Sequence, residues 1–207
     1  PDHDLDLPYY GFDGVDLAIE HSDQVEGHYT RWLRARHPDP DKLRGPENAL
    51  SNEAADLPQA WRTRVPEELY PTTYIAEQAI ARLGEFGRNK EQPFFLMCSF
   101  PDPHHPFTPP GHYWDMYRAA DIPLPASWNV DRDTCPPHVR RLLDERDSGQ
   151  ARKDTPALFA CTENEARRLT ALTYGMITMP WPASWPHWKK PVSPTIRWWC
   201  SPRIMAI

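Results

Sequence analysis

Apolar positions change period several times along this chain, and each change marks an element. Over residues 9–19, Phe12, Val15, Leu17 and Ile19 fall near a two-residue period, which predicts a strand. Over residues 24–36, Val25, Tyr29, Trp32 and Leu33 share one face of a helix that Pro38 and Pro40 end. Residues 37–66 are polar and proline-interrupted, and read as a long surface excursion. The clearest helix spans 72–86, with Ile75, Ala79, Ile80, Leu83 and Phe86 in a stripe, Thr72 or Thr73 as cap and Gly87 as stop.

Residues 93–100, Pro-Phe-Phe-Leu-Met-Cys-Ser-Phe, are a short unbroken apolar run between breakers. That pattern predicts a central parallel strand buried on both faces. A stiff loop follows, Pro101-Asp102-Pro103-His104-His105-Pro106-Phe107-Thr108-Pro109-Pro110. Further helices are expected at 112–119 and 137–147. A last one begins at a Thr162/Glu165 capping box and runs to about Met179. Helix, buried strand and polar loop in that order predict an α/β fold, with ligands beyond the carboxyl ends of the strands.

Composition narrows the function classes. With 207 residues, 40% hydrophobic and 25% charged, the chain can build a real core. A net charge of -6 argues against nucleic acid as the main partner. No apolar run is long enough to span a bilayer. Cys98, Cys135, Cys161 and Cys200 are widely spaced, which suggests no zinc or dithiol site. Free thiols fit a reducing compartment such as the cytoplasm.

The stretch 92–113, QPFFLMCSFPDPHHPFTPPGHY, resembles the sulfatase family of the alkaline-phosphatase superfamily. There a buried strand leads into a P-H-x-P loop and then a P-x-x-Y helix start. Tyr70-Pro71-Thr72-Thr73, Thr170–Met179 (TALTYGMITM) and Tyr9-Tyr10-Gly11-Phe12-Asp13 resemble flanking family segments, so the likeness covers most of residues 9–179. It implies a partial alkaline-phosphatase-like/sulfatase sheet with flanking helices over residues 1–179. It also implies a sulfuric ester hydrolase, acting on a sulfate-ester small molecule or carbohydrate through a formylglycine made in a C-x-P-x-R motif, with Ca2+ held by carboxylates. By motif match, His104 would donate a hydrogen bond to a sulfate oxygen, with His105 the second choice. His21, His28, His112 and His138 read as structural. Asp102 reads as a turn former, or else as an orienter of a loop histidine.

The resemblance is incomplete. Cys135-Pro136-Pro137-His138-Val139 and Cys200-Ser201-Pro202-Arg203-Ile204 each lack the required arginine and lie after the P-H-x-P loop, where the family places its nucleophile well before it. Neither the nucleophile motif nor the first acidic metal ligands are expected in this chain, so alone it is expected to be inactive. A phosphodiesterase or phosphonate monoester hydrolase of the same superfamily, or an inert binding module, would share what remains.

From Pro180 the composition shifts. Residues 180–207 hold no Asp or Glu but carry Trp181, Trp185, Trp188, Trp198 and Trp199. Degenerate codons read from the third base force Ala at Trp181-Pro182 and Trp185-Pro186, Leu at His187-Trp188, Glu at Trp188-Lys189, Val at Trp198-Trp199 and Trp199-Cys200, and Gly at Met205-Ala206. With the free positions chosen within degeneracy, the shifted frame permits MAGVLAALEEAGLADNTVVVFTSDHGD, a helix, a buried strand and the family's metal-binding loop. Residues 180–207 are therefore expected to be a frameshifted, non-native tail. The competing reading, a tryptophan-rich tail for carbohydrate or a membrane surface, is opposed by its prolines.

Overall fold

The computed structural model describes residues 5–50, 57, 59–88, 91–150 and 161–179. The tail, and with it the shifted-frame reading, lies outside the described residues. Among the described residues the architecture is mixed, with helices and one small antiparallel sheet. β1 (Ala18–Ile19) pairs with β2 (Glu26–Gly27), Ala18 opposite Gly27 and Ile19 opposite Glu26. The helices are α1 (His28–Arg34), α2 (Pro71–Phe86), α3 (Pro137–Asp147) and α4 (Glu163–Thr178).

Local signals set the helices. Thr162 accepts from the Glu165 N–H and Glu165 accepts from the Thr162 N–H, so the expected capping box opens α4. α2 starts on Pro71, whose fixed φ suits the first helical position. Thr72 and Thr73 do not cap it. Thr73 donates to the Glu67 carbonyl, and Thr72 donates to Asp102 at 2.7 Å.

α1 begins later than its periodicity suggested because Gly27, at φ 79, breaks the helix before His28. A Cβ at Gly27 would come 2.7 Å from the Leu17 carbonyl oxygen, so glycine is required there on two counts. The predicted face is correct. Val25, Tyr29 and Leu33 are fully buried and pack on Tyr74 and Ile75 of α2. Burying side chains of this size contributes about 1.5–3 kcal/mol each.

α4 lays Leu169, Leu172 and Met176 against Ala60, Phe107 and Trp114. Its Gly175 lies so close to the Tyr113 carbonyl that a Cβ would sit 2.4 Å from the oxygen. The described residues of 37–66 are irregular, as expected, but they are more than a surface excursion. Leu43, Ala60, Thr63 and Val65 are buried. Leu43 and Val65 join Tyr70, Tyr113 and Met179 in a third apolar cluster.

Three expected elements differ. Residues 9–12 form a tight turn in which Tyr9 and Phe12 bridge each other, residues 13–17 are irregular, and only Ala18–Ile19 is strand. The helix expected at 112–119 is a single 3-10 turn, Gly111–Trp114. The largest correction concerns residues 93–100. They form no strand, and Phe94, Phe95 and Met97 are 39%, 76% and 53% exposed. A central strand is buried by neighbours on both edges and layers on both faces. Among the described residues, no sheet includes this run. Phe94 instead stacks on Phe86 at the end of α2, ring centroids 4.6 Å apart.

Candidate functional site

The loop 101–110 is tied down at both ends and along its length. At its start the His104 N–H donates to the Pro101 carbonyl at 3.0 Å, a turn with Asp102 at its second position. Asp102 is thus a turn residue in its backbone, yet its side chain leaves the loop. The carboxylate is buried, Oδ2 accepts from Thr72 on α2, and Oδ1 makes no direct hydrogen bond, with the Tyr70 hydroxyl near enough to favour the charged form. Burial pushes its carboxyl up to about 7; the Thr72 and Tyr70 hydroxyls oppose the shift, and the nearby Asp23 carboxylate adds to it.

At the loop's far end the Phe107 N–H donates to the Gln59 carbonyl at 2.8 Å, and Ala60 and Phe107 make a parallel bridge. Next to Phe107 stands buried Thr108, whose hydroxyl meets Tyr70 Oη at 3.1 Å and accepts from the Asp23 N–H at 3.3 Å. Asp23 is buried too. Its Oδ2 accepts from Trp61 Nε1, Thr63 Oγ1 and the Gly45 N–H at 2.9, 2.7 and 3.3 Å. Burial raises its carboxyl, against those hydrogen bonds and the Arg44 charge. A buried polar network thus joins the loop to α2 and to the Ser22–Gln24 turn.

On this base the loop presents His104 at the surface, with His105 half-buried beside it. His104 Nδ1 lies 2.6 Å from the His105 carbonyl oxygen. A carbonyl only accepts, so Nδ1 carries the proton and Nε2 is left for a ligand. His21, expected to be structural, stacks on His104 with centroids 3.8 Å apart. Ser22 donates from Oγ to the His104 carbonyl at 3.2 Å and also to the Pro106 carbonyl. Sequence reasoning missed His21, Ser22 and Asp23 as parts of this site. Nothing local marks Glu20-His21-Ser22-Asp23, which reads as a polar turn.

The other histidines stand apart. His28 Nδ1 accepts from the Leu17 N–H at 3.0 Å and supports the small sheet. His112 Nδ1 pairs with Glu67 Oε1 at 2.6 Å. His138 lies on α3.

No family model matches the chain, and no solved structure matches it. Two curated proteins do. An arylsulfatase of Clostridium perfringens (strain 13 / Type A) is 42% identical over 59 residues, 28% of this chain and 12% of that protein. The multifunctional alkaline phosphatase superfamily protein PehA of Trinickia caryophylli is 31% identical over 119 residues, 56% of this chain and 23% of that protein. This chain is a relative of the sulfatases and of the wider alkaline phosphatase superfamily. It spans less than a quarter of the length of either relative.

Sulfatases of this superfamily typically use a divalent metal. Among the described residues, no group of three or more His, Cys, Asp or Glu side chains is arranged to hold one. Asp23 Oδ2 is held by three donors and Asp102 Oδ2 by Thr72; each carboxylate keeps one oxygen without a hydrogen bond, but no third His, Cys, Asp or Glu side chain joins them in a ligand group. The described residues therefore do not by themselves fit a calcium site. Among the described residues, no helix is long and apolar enough to cross a membrane.

Proposed function

We propose that this chain contributes the substrate-oxyanion loop of a sulfuric ester hydrolase, with His104 as the residue that holds a sulfate oxygen and His105 as its neighbour at the site. The observation that carries this reading is the fixed His104 ring. With Nδ1–H committed to the His105 carbonyl, Nε2 of an exposed side chain is the atom available to a ligand. To donate from Nε2 while Nδ1 keeps its proton, His104 must be the imidazolium, which adds charge to the hydrogen bond. Cleaving a sulfate ester gathers negative charge on oxygen, and a preorganised charged donor stabilises that charge better than a mobile one.

The nucleophile is the part of this reading that lies elsewhere. The sequence holds no C-x-P-x-R motif, so a formylglycine would have to come from residues outside these 207. The substrate class is a sulfate ester of a small molecule or carbohydrate, by analogy with the arylsulfatase relative.

The test is an aryl sulfate assay on a chain extended over the upstream coding sequence and restored in frame at codon 180. His104→Ala is expected to lower kcat about 10²–10³-fold there, the usual cost of removing one such donor. Equal rates for parent and variant would overturn the reading.

A further inference from the structure

Three imidazoles meet at this loop from two places far apart in sequence. His21 and His104 stack with centroids 3.8 Å apart and planes 23° from parallel. His105 lies against His104 at 4.0 Å and 32°. Two rings at those separations collide if they share one face of a third, so His21 and His105 cover opposite faces of His104. The Ser22 hydroxyl donates to the carbonyls of His104 and Pro106, which ties the His21 turn to the loop. The backbone around His21 is unusual. Glu20 at φ 68 and Ser22 at φ 55 both occupy the left-handed region, with His21 between them. Non-glycine residues persist there only when their surroundings hold them.

We infer that His21 is a positioning residue for His104: with His105 it clamps the imidazole so that only Nε2 is presented. What the presented atom does rests on the reading of His104 as an oxyanion ligand; the clamp itself rests on the rings. The electrostatics agree with the geometry. Burial first, and then the charge of His104, hold His21 below the ordinary histidine range, with Glu20 pulling the other way. Burial, then His104 and His21, hold His105 low. Asp102, two residues before His104, turns its carboxylate to Thr72. Each neighbour blocks one face of the His104 ring while leaving its edge open.

The experiment is a long-range 1H–15N NMR titration of the histidine rings in the 207-residue chain, with inorganic sulfate as the probe. Parent, His104→Gln, His21→Phe and His21→Ala are compared. In the parent, the neutral form of His104 is expected to carry its proton on Nδ1. In His104→Gln, His21 and His105 should both titrate at higher pH. The rise should be about half a pH unit or more, because a unit charge ~4 Å away is felt that strongly even with water-like screening. His21→Ala should let the other tautomer of His104 appear and weaken sulfate about three- to tenfold, the weight of a lost ring stack. His21→Phe keeps the stacking face, and should keep both the tautomer and sulfate affinity to within about twofold.

Unchanged titration of His21 and His105 in His104→Gln overturns the inference. So does a parent-like His104 tautomer in His21→Ala, or a loss in His21→Phe equal to that in His21→Ala. Should sulfate leave the His104 signal unmoved in the parent while the flanking rings respond as stated, the oxyanion reading falls and the clamp stands.

Discussion

Asp102 offers the sharpest test of the buried network beneath the site. Its carboxyl is raised from an ordinary 3.8 to about 7, chiefly by burial. A raised acid is favoured in its neutral form by the fold. The stability it allows is therefore complete below the unfolded-state value and is lost as pH rises through the folded one. A displacement of about three pH units corresponds to about 4 kcal/mol once both states are ionised. Between pH 5 and pH 8 the part that falls is about 2–3 kcal/mol, because some of the loss has already occurred by pH 5.

Asp102→Asn removes that titration while keeping an oxygen to accept from Thr72. It leaves an amide N–H pair in the place of the unpartnered Oδ1, which costs about 1–3 kcal/mol at every pH. The expected result is a variant that gains about 2–3 kcal/mol on its parent between pH 5 and pH 8. Urea unfolding followed by circular dichroism at pH 5, 6.5 and 8 measures it. Asp23 and the histidines titrate in both proteins, so the difference isolates Asp102 to first order. A gap between the two proteins that stays constant with pH would refute the reasoning, whatever its size.

Three further outcomes are expected. Gly175→Ala should destabilise the chain by about 1–3 kcal/mol in the same unfolding assay despite alanine's better helix propensity, because the new methyl meets the Tyr113 carbonyl; a gain in stability would disprove that close approach. The purified 207-residue chain should not turn over an aryl sulfate and should bind calcium no more tightly than a surface carboxylate does; measurable turnover or specific calcium binding by calorimetry would count against the proposed division of the site. Sequencing the DNA around codon 180 should find the shifted frame open and encoding S-D-H-G; stop codons in that frame would remove the frameshift reading.

The sequence by itself determined α2, α3 and α4 nearly to their ends, and the apolar face of α1. Those signals are local. Ile75 and Ala79 lie one turn apart, Pro137 opens a helix by its own φ, and Thr162 and Glu165 cap each other across three residues. It also singled out the loop 101–110, because prolines and adjacent histidines are visible without a fold. Its reading of residues 93–100 as a buried strand went beyond local information. An apolar run states what would be favourable to bury, but a strand exists only where another segment pairs with it along a ladder, and among the described residues the one sheet is β1–β2. The same reason explains what was missed at the site. His21 meets His104, and Ser22 its carbonyl, across about eighty residues, and no spacing in the chain encodes that approach. Asp102 looks like a turn residue in sequence and is one in its backbone. Only the packing of α2 beside the loop sent its carboxylate inward to Thr72, and burial then changed its chemistry.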